Sequence, residues 1–505
     1  MSPRVLAAIA VADFRERVRR PAYLVVLLGA VGLGYLAAPA AGDHWTIMNT
    51  GAYRGVYNSA YLGTVTALAG ALWLTAGGFY VVRTAIARDA QTGVGQLLAA
   101  TPVRTAGYLV GKYLSNLAVL ASMAAVLAGT ALVMQLARGE SRAVDPVALL
   151  LPFVVFTLPV LALTAAAAVL FETIPGMRGG LGNVVWFFVA MIAMIAGQSA
   201  AAPLGGLGVP VLAASMRADL AARGLAVTEF SLGLMYLDEP PRTIDWPGAD
   251  LTAGFAGGRL LLVVLAAAAA ALPALWFARF DPARRLVAAG PAPAEPRPAY
   301  PAAVSLRTQP RRGGAFARLF AGELRILVGG VSRWWWLGVV ALVVAGAAVP
   351  TRASGTVLLA AWIWPVLVWS RLGCQAREHG VEALLDAGPA PARRLLAQFL
   401  AGAALTALAG LGPGVRMALA GDPAGWLTGV LVIPALALAL GVLSRGHRLF
   451  QVVYLPIWYA VLNDVAALDY LGVLPGGPEP ALVATVAAAL LGTALAVTLA
   501  RHARR

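Results

Sequence analysis

The chain has 505 residues, of which 60% are hydrophobic and only 12% charged, with a net charge of +15. A soluble globular protein carries about 25% charged residues, so there is too little polar surface here to coat a water-soluble body, and lipid must be the solvent for most of it. Lys112 is the only lysine and the arginines fall between apolar runs, which fits membrane anchoring and speaks against nucleic-acid binding.

The N-terminus is predicted to form a short amphipathic helix lying in the membrane interface. Leu6, Ile9, Ala10, Phe14 and Val18 make its apolar face, against Arg15, Glu16, Arg17 and Arg19. Twelve runs long enough to span then follow: about 21–40, 58–82, 107–136, 148–171, 181–203, 257–278, 334–350, 354–371, 395–411, 425–443, 449–467 and 480–500. The sequence therefore predicts an all-α, polytopic integral membrane protein. With the N-terminus in the cytoplasm, 28 of the 38 basic residues fall in cytoplasmic segments, so both termini are expected there.

Two halves share one plan, 1–278 and 314–505. An outer insertion at about 204–256 interrupts the first, with a short helix expected near Ser215–Leu225. A linker at 279–313 separates the halves; its prolines favour an extended tether and its arginines suit an anionic leaflet. The second half opens on another amphipathic helix, with Phe316, Leu319, Phe320, Leu324, Leu327, Val328 and Val331 against Arg318, Glu323 and Arg325.

The repeat is clearest after the second span of each half. The segment Gly93-Val94-Gly95-Gln96-Leu97-Leu98-Ala99-Ala100-Thr101-Pro102 aligns with Gly380-Val381-Glu382-Ala383-Leu384-Leu385-Asp386-Ala387-Gly388-Pro389 at a constant offset of 287, matching at six of ten positions. Each copy follows an Arg-acid pair, Arg88-Asp89 and Arg377-Glu378. Repeats of this kind in membrane proteins mark two bundles about a pseudo-two-fold axis, here parallel because both halves start on the same side. The segment from Arg88 reads as one short helix with an apolar edge at Leu97 and Leu98, stopped by Pro102, and such an edge suits a groove on a partner. A plain connecting helix is the alternative.

An interfacial helix, two spans, a cytoplasmic helix, three spans, an outer insertion and a sixth span resembles the type-2, exporter-type ABC transporter permeases in a fused two-repeat form. The stretch from Arg88-Asp89 through Gly93, Leu97-Leu98-Ala99-Ala100-Thr101-Pro102 and on to Gly111-Lys112-Tyr113 is similar to that family's coupling-helix region, and Arg279-Phe280-Asp281-Pro282 is similar to the way its domains end. The second copy is degenerate, with Gly388 at the Thr101 position. The resemblance implies ATPase coupling through Arg88, Asp89, Gly93, Gln96, Leu97, Leu98, Thr101 and Pro102, and through Arg377, Glu378, Gly380, Leu384, Leu385 and Pro389. It implies two separately encoded ATP-binding subunits as partners, a bacterial cytoplasmic membrane as location, and no required homodimer.

No cofactor, metal or catalytic residue is expected. A P-loop needs Gly-Lys-Ser/Thr, and the sole lysine stands in Gly111-Lys112-Tyr113, so any ATP falls to a partner. Cys374 is alone and the four histidines are scattered. Gly176–Gly182 reads as a tight turn, and Trp334-Trp335-Trp336, Trp362, Trp364 and Trp369 read as anchoring and packing residues. Asn116, Gln135, Asn183, Gln198 and Asp464 are the few polar residues in or near spans. Two alternatives share this composition: an ATPase-independent transporter or lipid flippase, and a membrane transferase using Asp238, Glu239, Asp245 and Asp250 of the insertion as acid and base.

Overall fold

In lipid, an apolar run folds as a helix because its backbone donors must find partners within the segment. The computed structural model describes residues 3–40, 42–277, 280, 315–350, 353–378, 380–382, 385, 390–463, 465–471, 474 and 476–503. Apart from Phe280, the predicted linker lies outside them, as do Asp464, Leu384, Gly388 and Pro389. The chain divides into two compact units, Met1–Ala299 and Tyr300–Arg505.

In the first unit, α1 (Pro3–Val18) and α2 (Pro21–Leu36) precede α3 (Ser59–Val82), the short α4 (Ala85–Gln91) and α5 (Val94–Ala99), and the long α6 (Thr105–Arg138). Then α7 (Pro146–Pro152) passes through a π turn, Phe153–Thr157, into α8 (Leu158–Thr173), followed by α9 (Gly180–Ala196), α10 (Val209–Ala222) and α11 (Ala253–Ala271). Side chains fix several starts: Asn58, Asp145 and Thr252 each accept a backbone N–H from the first turn of the helix they precede. Small residues let the helices approach closely. A Cβ on Gly63 would lie 2.6 Å from the Leu149 carbonyl oxygen, and one on Gly78 would lie 2.5 Å from the Leu120 side chain. Between α3 and α9, Phe79 stacks on Trp186 with ring centroids 4.3 Å apart.

Residues 37–58 and 203–252 come together through paired strands. They build a small cap with its own core. The strand β1 (Trp45–Asn49) pairs antiparallel with β3 (Ser231–Tyr236), and β2 (Tyr53–Gly55) pairs parallel with β4 (Arg242–Ile244). The helix expected near Ser215–Leu225 runs earlier, as α10. Trp246 is fully buried edge-on to Tyr61, with centroids 6.5 Å apart, and its indole donates to Ser215 Oγ at 3.1 Å. Arg54 is 3% exposed and grips Glu140 through two bonds of 2.8 and 2.9 Å. Burial alone would raise the Glu140 carboxyl, but hydrogen bonds from Arg54 and the Tyr57 amide hold it below its ordinary value. Asp238, Glu239, Asp245 and Asp250 are all exposed on this cap.

The second unit comprises α12 (Ala315–Val328), α13 (Arg333–Ala348), α14 (Ser354–Ile363), α15 (Val366–Trp369), α16 (Gln375–Glu378), α17 (Pro391–Ala409), α18 (Leu411–Leu419), α19 (Ala424–Ser444), α20 (Arg448–Leu462) and α21 (Pro480–Ala503). Its core is built on Trp362, which donates to the Thr406 carbonyl at 3.1 Å and accepts at its own carbonyl from Tyr454 at 2.8 Å. Trp369 is likewise buried, whereas Trp334 is 75% exposed. The tryptophans therefore divide between packing and anchoring, as their chemistry allows.

The span count is a correction. Among the described residues, six helical stretches are long and apolar enough to cross a membrane, or up to eight if two sharply bent pairs each count as one; twelve are not. The shortfall has a geometric cause. At a rise of about 1.5 Å per residue, a helix needs roughly 20 residues to cross about 30 Å of hydrocarbon. Several predicted runs fold as shorter helices: Pro21–Leu36, Gly180–Ala196, Ser354–Ile363 and Arg448–Leu462. Two helix pairs meet at sharp bends: 103° between Phe316–Val328 and Arg333–Ala348, where the sequence predicts an interfacial helix and a separate span, and 72° between Pro391–Ala409 and Leu411–Leu419. The run at 354–371 breaks where Pro365 removes a helical donor.

Gly63→Ala should force α3 and α7 apart and destabilise the unit by about 1–3 kcal/mol. Gly77→Ala, on the same helix with nothing within 4 Å of the added carbon, should be neutral or stabilising. Thermal unfolding of the two variants in detergent checks this, and equal effects would contradict the packing described.

Candidate functional site

The segment between α3 and α6 is held by buried charge. At the end of α8, Glu172 accepts hydrogen bonds from the backbone amides of Ala85, Ile86 and Ala87 at 3.0, 2.8 and 2.8 Å. These are first-turn donors of α4 without helical partners, and a carboxylate also suits the positive end of a helix. One turn further along, the Asp89 carboxylate sits 2.8 Å from Lys112 Nζ and accepts a 2.7 Å hydrogen bond from the Tyr108 hydroxyl. The same ammonium lies 2.8 Å from Asp13 on α1. Asp13 also accepts from Ser115 Oγ at 2.6 Å and faces Arg17 at 2.8 Å. Side chains of Asp13, Arg17, Asp89 and Lys112 are all less than 10% exposed. On the outer side, Arg88 pairs with Glu16, which also holds Arg20.

A compact ammonium suits this position because it can serve two carboxylates at once, where a planar guanidinium would favour one. Burial alone would raise the Asp13 carboxyl, but Arg17 and Lys112 outweigh it and hold the group below its ordinary range. The cluster joins α1, α4 and α6 into one rigid corner. Helix α1 therefore faces protein as well as lipid: Ile9 fills the space beside Gly111, and Phe14 packs on the core. Arg17, expected on the polar face, is buried.

The predicted site residues separate into two groups. Arg88 and Asp89, expected to face a partner, have their side chains turned toward α1 and α6. The rest form an outward corner. The single helix expected from Arg88 onward breaks at Thr92-Gly93 into α4 and α5. Gly93 takes φ +77°, a left-handed conformation that glycine adopts at little cost. Gly95 is buried against the Phe280 ring, 2.7 Å from where a Cβ would lie. Leu98 packs inward on the core, while Leu97 is 72% and Val94 43% exposed. Gln96, Thr101 and Pro102 are exposed beside them, and the Thr101 hydroxyl closes the end of α5 by donating to the Leu98 carbonyl at 2.7 Å.

In the second unit, Arg377 is exposed and Glu378 bonds His447 Nδ1 at 2.6 Å. Gly380 takes φ +69° with open space around it, and Val381 and Leu385 are each 38% exposed. Leu384 and Pro389 lie outside the described residues. On α12, Glu323 is buried and accepts from Arg394 at 2.8 Å and Gln398 at 3.2 Å, both on α17. Asp13, Tyr108, Lys112 and Glu172 are the residues that sequence reasoning did not assign to the site. An available signal was the i,i+4 pair Asp13–Arg17 on a helix otherwise read as half lipid-facing.

No family model matches this chain, and neither a curated protein nor a solved structure matches it.

Lys112→Met should leave two carboxylates buried without their cation and cost about 3–5 kcal/mol in unfolding free energy. Adding Asp13→Asn and Asp89→Asn should restore much of that loss, and no restoration would contradict the shared-ammonium arrangement. The Asp13 contribution has a defined pH window. Its folded value lies below the ordinary 3.8, so the stabilisation is full above that pH and is lost as the pH falls through the lowered value. Asp13→Asn should flatten this acid limb in a pH series of unfolding midpoints.

Proposed function

We propose that the chain is the membrane-spanning permease subunit of an ABC transporter of exporter type, coupled to separately encoded ATP-binding subunits through α5. The observation that carries this reading is the contrast within the segment Arg88–Pro102. Its acidic and inward residues are tied down by buried ion pairs, while Leu97, 72% exposed, and Val94 project from a two-turn helix. A rigidly braced apolar knob can pass force to and from a partner groove, which a mobile loop cannot do.

Two further correspondences support a parallel internal repeat. Gly93 and Gly380, aligned at the offset of 287, both take left-handed backbone with nothing where a Cβ would stand, so both are glycine for conformation rather than for space. In each unit, the leading helix also buries an acid against a cation on the helix that follows the aligned segment: Asp13 with Lys112, and Glu323 with Arg394. In this reading both termini and both segments face the cytoplasm, and the membrane is a bacterial cytoplasmic membrane. The sequence holds no P-loop, so hydrolysis belongs to the partner.

The test is a single exposed substitution. Leu97→Asp should abolish co-purification of an ATP-binding cassette subunit and the associated ATP hydrolysis. Its unfolding midpoint should stay close to that of the parent, since an exposed change away from packing shifts stability by about 0.5 kcal/mol or less. Full co-purification with this variant would overturn the assignment of α5. Charge reversal at Asp89 is unsuitable, because it would break the buried cluster.

A further inference from the structure

The second unit holds a cavity of about 110 Å³ lined by four arginines, Arg377, Arg394, Arg445 and Arg501, together with His502 and Glu382. The arginines come from the end of α16, the start of α17, the end of α19 and the end of α21. The last three are ends of apolar helices, the level at which lipid headgroups lie. The volume is several times what one water requires, so a tetrahedral oxyanion fits.

Two of the four arginines pair with carboxylates. Arg394 gives Nε to Glu323 at 2.8 Å, and Arg445 reaches Glu382 at 3.4 Å. Arg501 gives Nη1 to the Val442 carbonyl at 2.6 Å, closing the end of α19. Each guanidinium carries five donors, so Arg394 and Arg445 keep most of theirs uncommitted among the described residues. Arg445 also occupies the position after α19 in left-handed backbone, at φ +56°. Glycine is the ordinary choice there, and a residue with a Cβ is disfavoured. What the arginine adds at that position is a guanidinium in the wall of the cavity. Paired guanidiniums match the oxygens of a phosphate through bidentate hydrogen bonds.

We infer that this cavity binds a phosphate group, presented by an anionic phospholipid headgroup or free in solution. The site is separate from α5 and does not depend on the transporter reading. The experiment uses the full chain in detergent, titrated in separate arms with inorganic phosphate and with short-chain phosphatidic acid, and read by calorimetry and by the unfolding midpoint. Saturable binding is expected in at least one arm. Similar affinities would mark free phosphate as the source, and tenfold tighter phosphatidic acid would mark the lipid. Arg377→Gln with Arg445→Gly should weaken binding at least tenfold. Arg445→Gly alone should leave the ligand-free midpoint unchanged or raised, because glycine suits that backbone, and this separates lost binding from lost folding. Absence of saturable binding in both arms, or undiminished affinity in the double variant, would overturn the inference.

Discussion

A single ammonium group held between two carboxylates organises the helix ends of the first unit. Lys112 lies 2.8 Å from both Asp13 and Asp89, and each acid belongs to a different short helix. Of the two, α4 has only seven residues and would not be stable alone, since isolated helices below roughly 12–15 residues are marginal in water. Its position therefore comes from tertiary electrostatics. Buried charge is costly unless closely paired and hydrogen-bonded, and here the pairing is nearly complete through Ser115, Tyr108 and Arg17. Once that corner is fixed, Glu172 can cap α4, the chain can reverse at Gly93, and Leu98 can seat while Leu97 stays outside.

The class of the protein was legible in the sequence because it depends on bulk composition, which no local detail can reverse. The long helices were legible for the same reason: Thr105–Arg138 and Pro480–Ala503 fall on their predicted runs. Hydropathy fails where length alone does not decide. Pro391–Ala409 and Leu411–Leu419 form one apolar run in sequence, yet they meet at 72° near Gly410 and Gly412. A hydropathy window averages over a bend. The cap was hidden because its strands are three to six residues long and find their partners far along the chain. At the candidate site, Gly93 and the two leucines were visible through the repeat. The burial of Asp89 was not, since its partners stand on helices that periodicity cannot bring together.

The two units reach similar ends with different residues. Where the first uses an aspartate and a lysine, the second uses Glu323 and Arg394, with Gln398 taking the place of Ser115 as the added donor. A longer acid meets a longer reach, and the pair still links the leading helix to the start of the helix after the aligned segment. The ion pairs differ in residue identity, while Gly93 and Gly380 both take left-handed backbone.

The cap also sets an order of events during synthesis. Trp45 pairs with Tyr236, and Tyr53 with Arg242, so neither two-stranded sheet can close until nearly two hundred further residues have been made. At about 5–20 residues per second, β1 waits on the order of 10–40 seconds for its partner. During that interval its edge is unpaired while α3 to α10 are made. The cap therefore closes late, after α3 to α10 have been made and before α11 joins them.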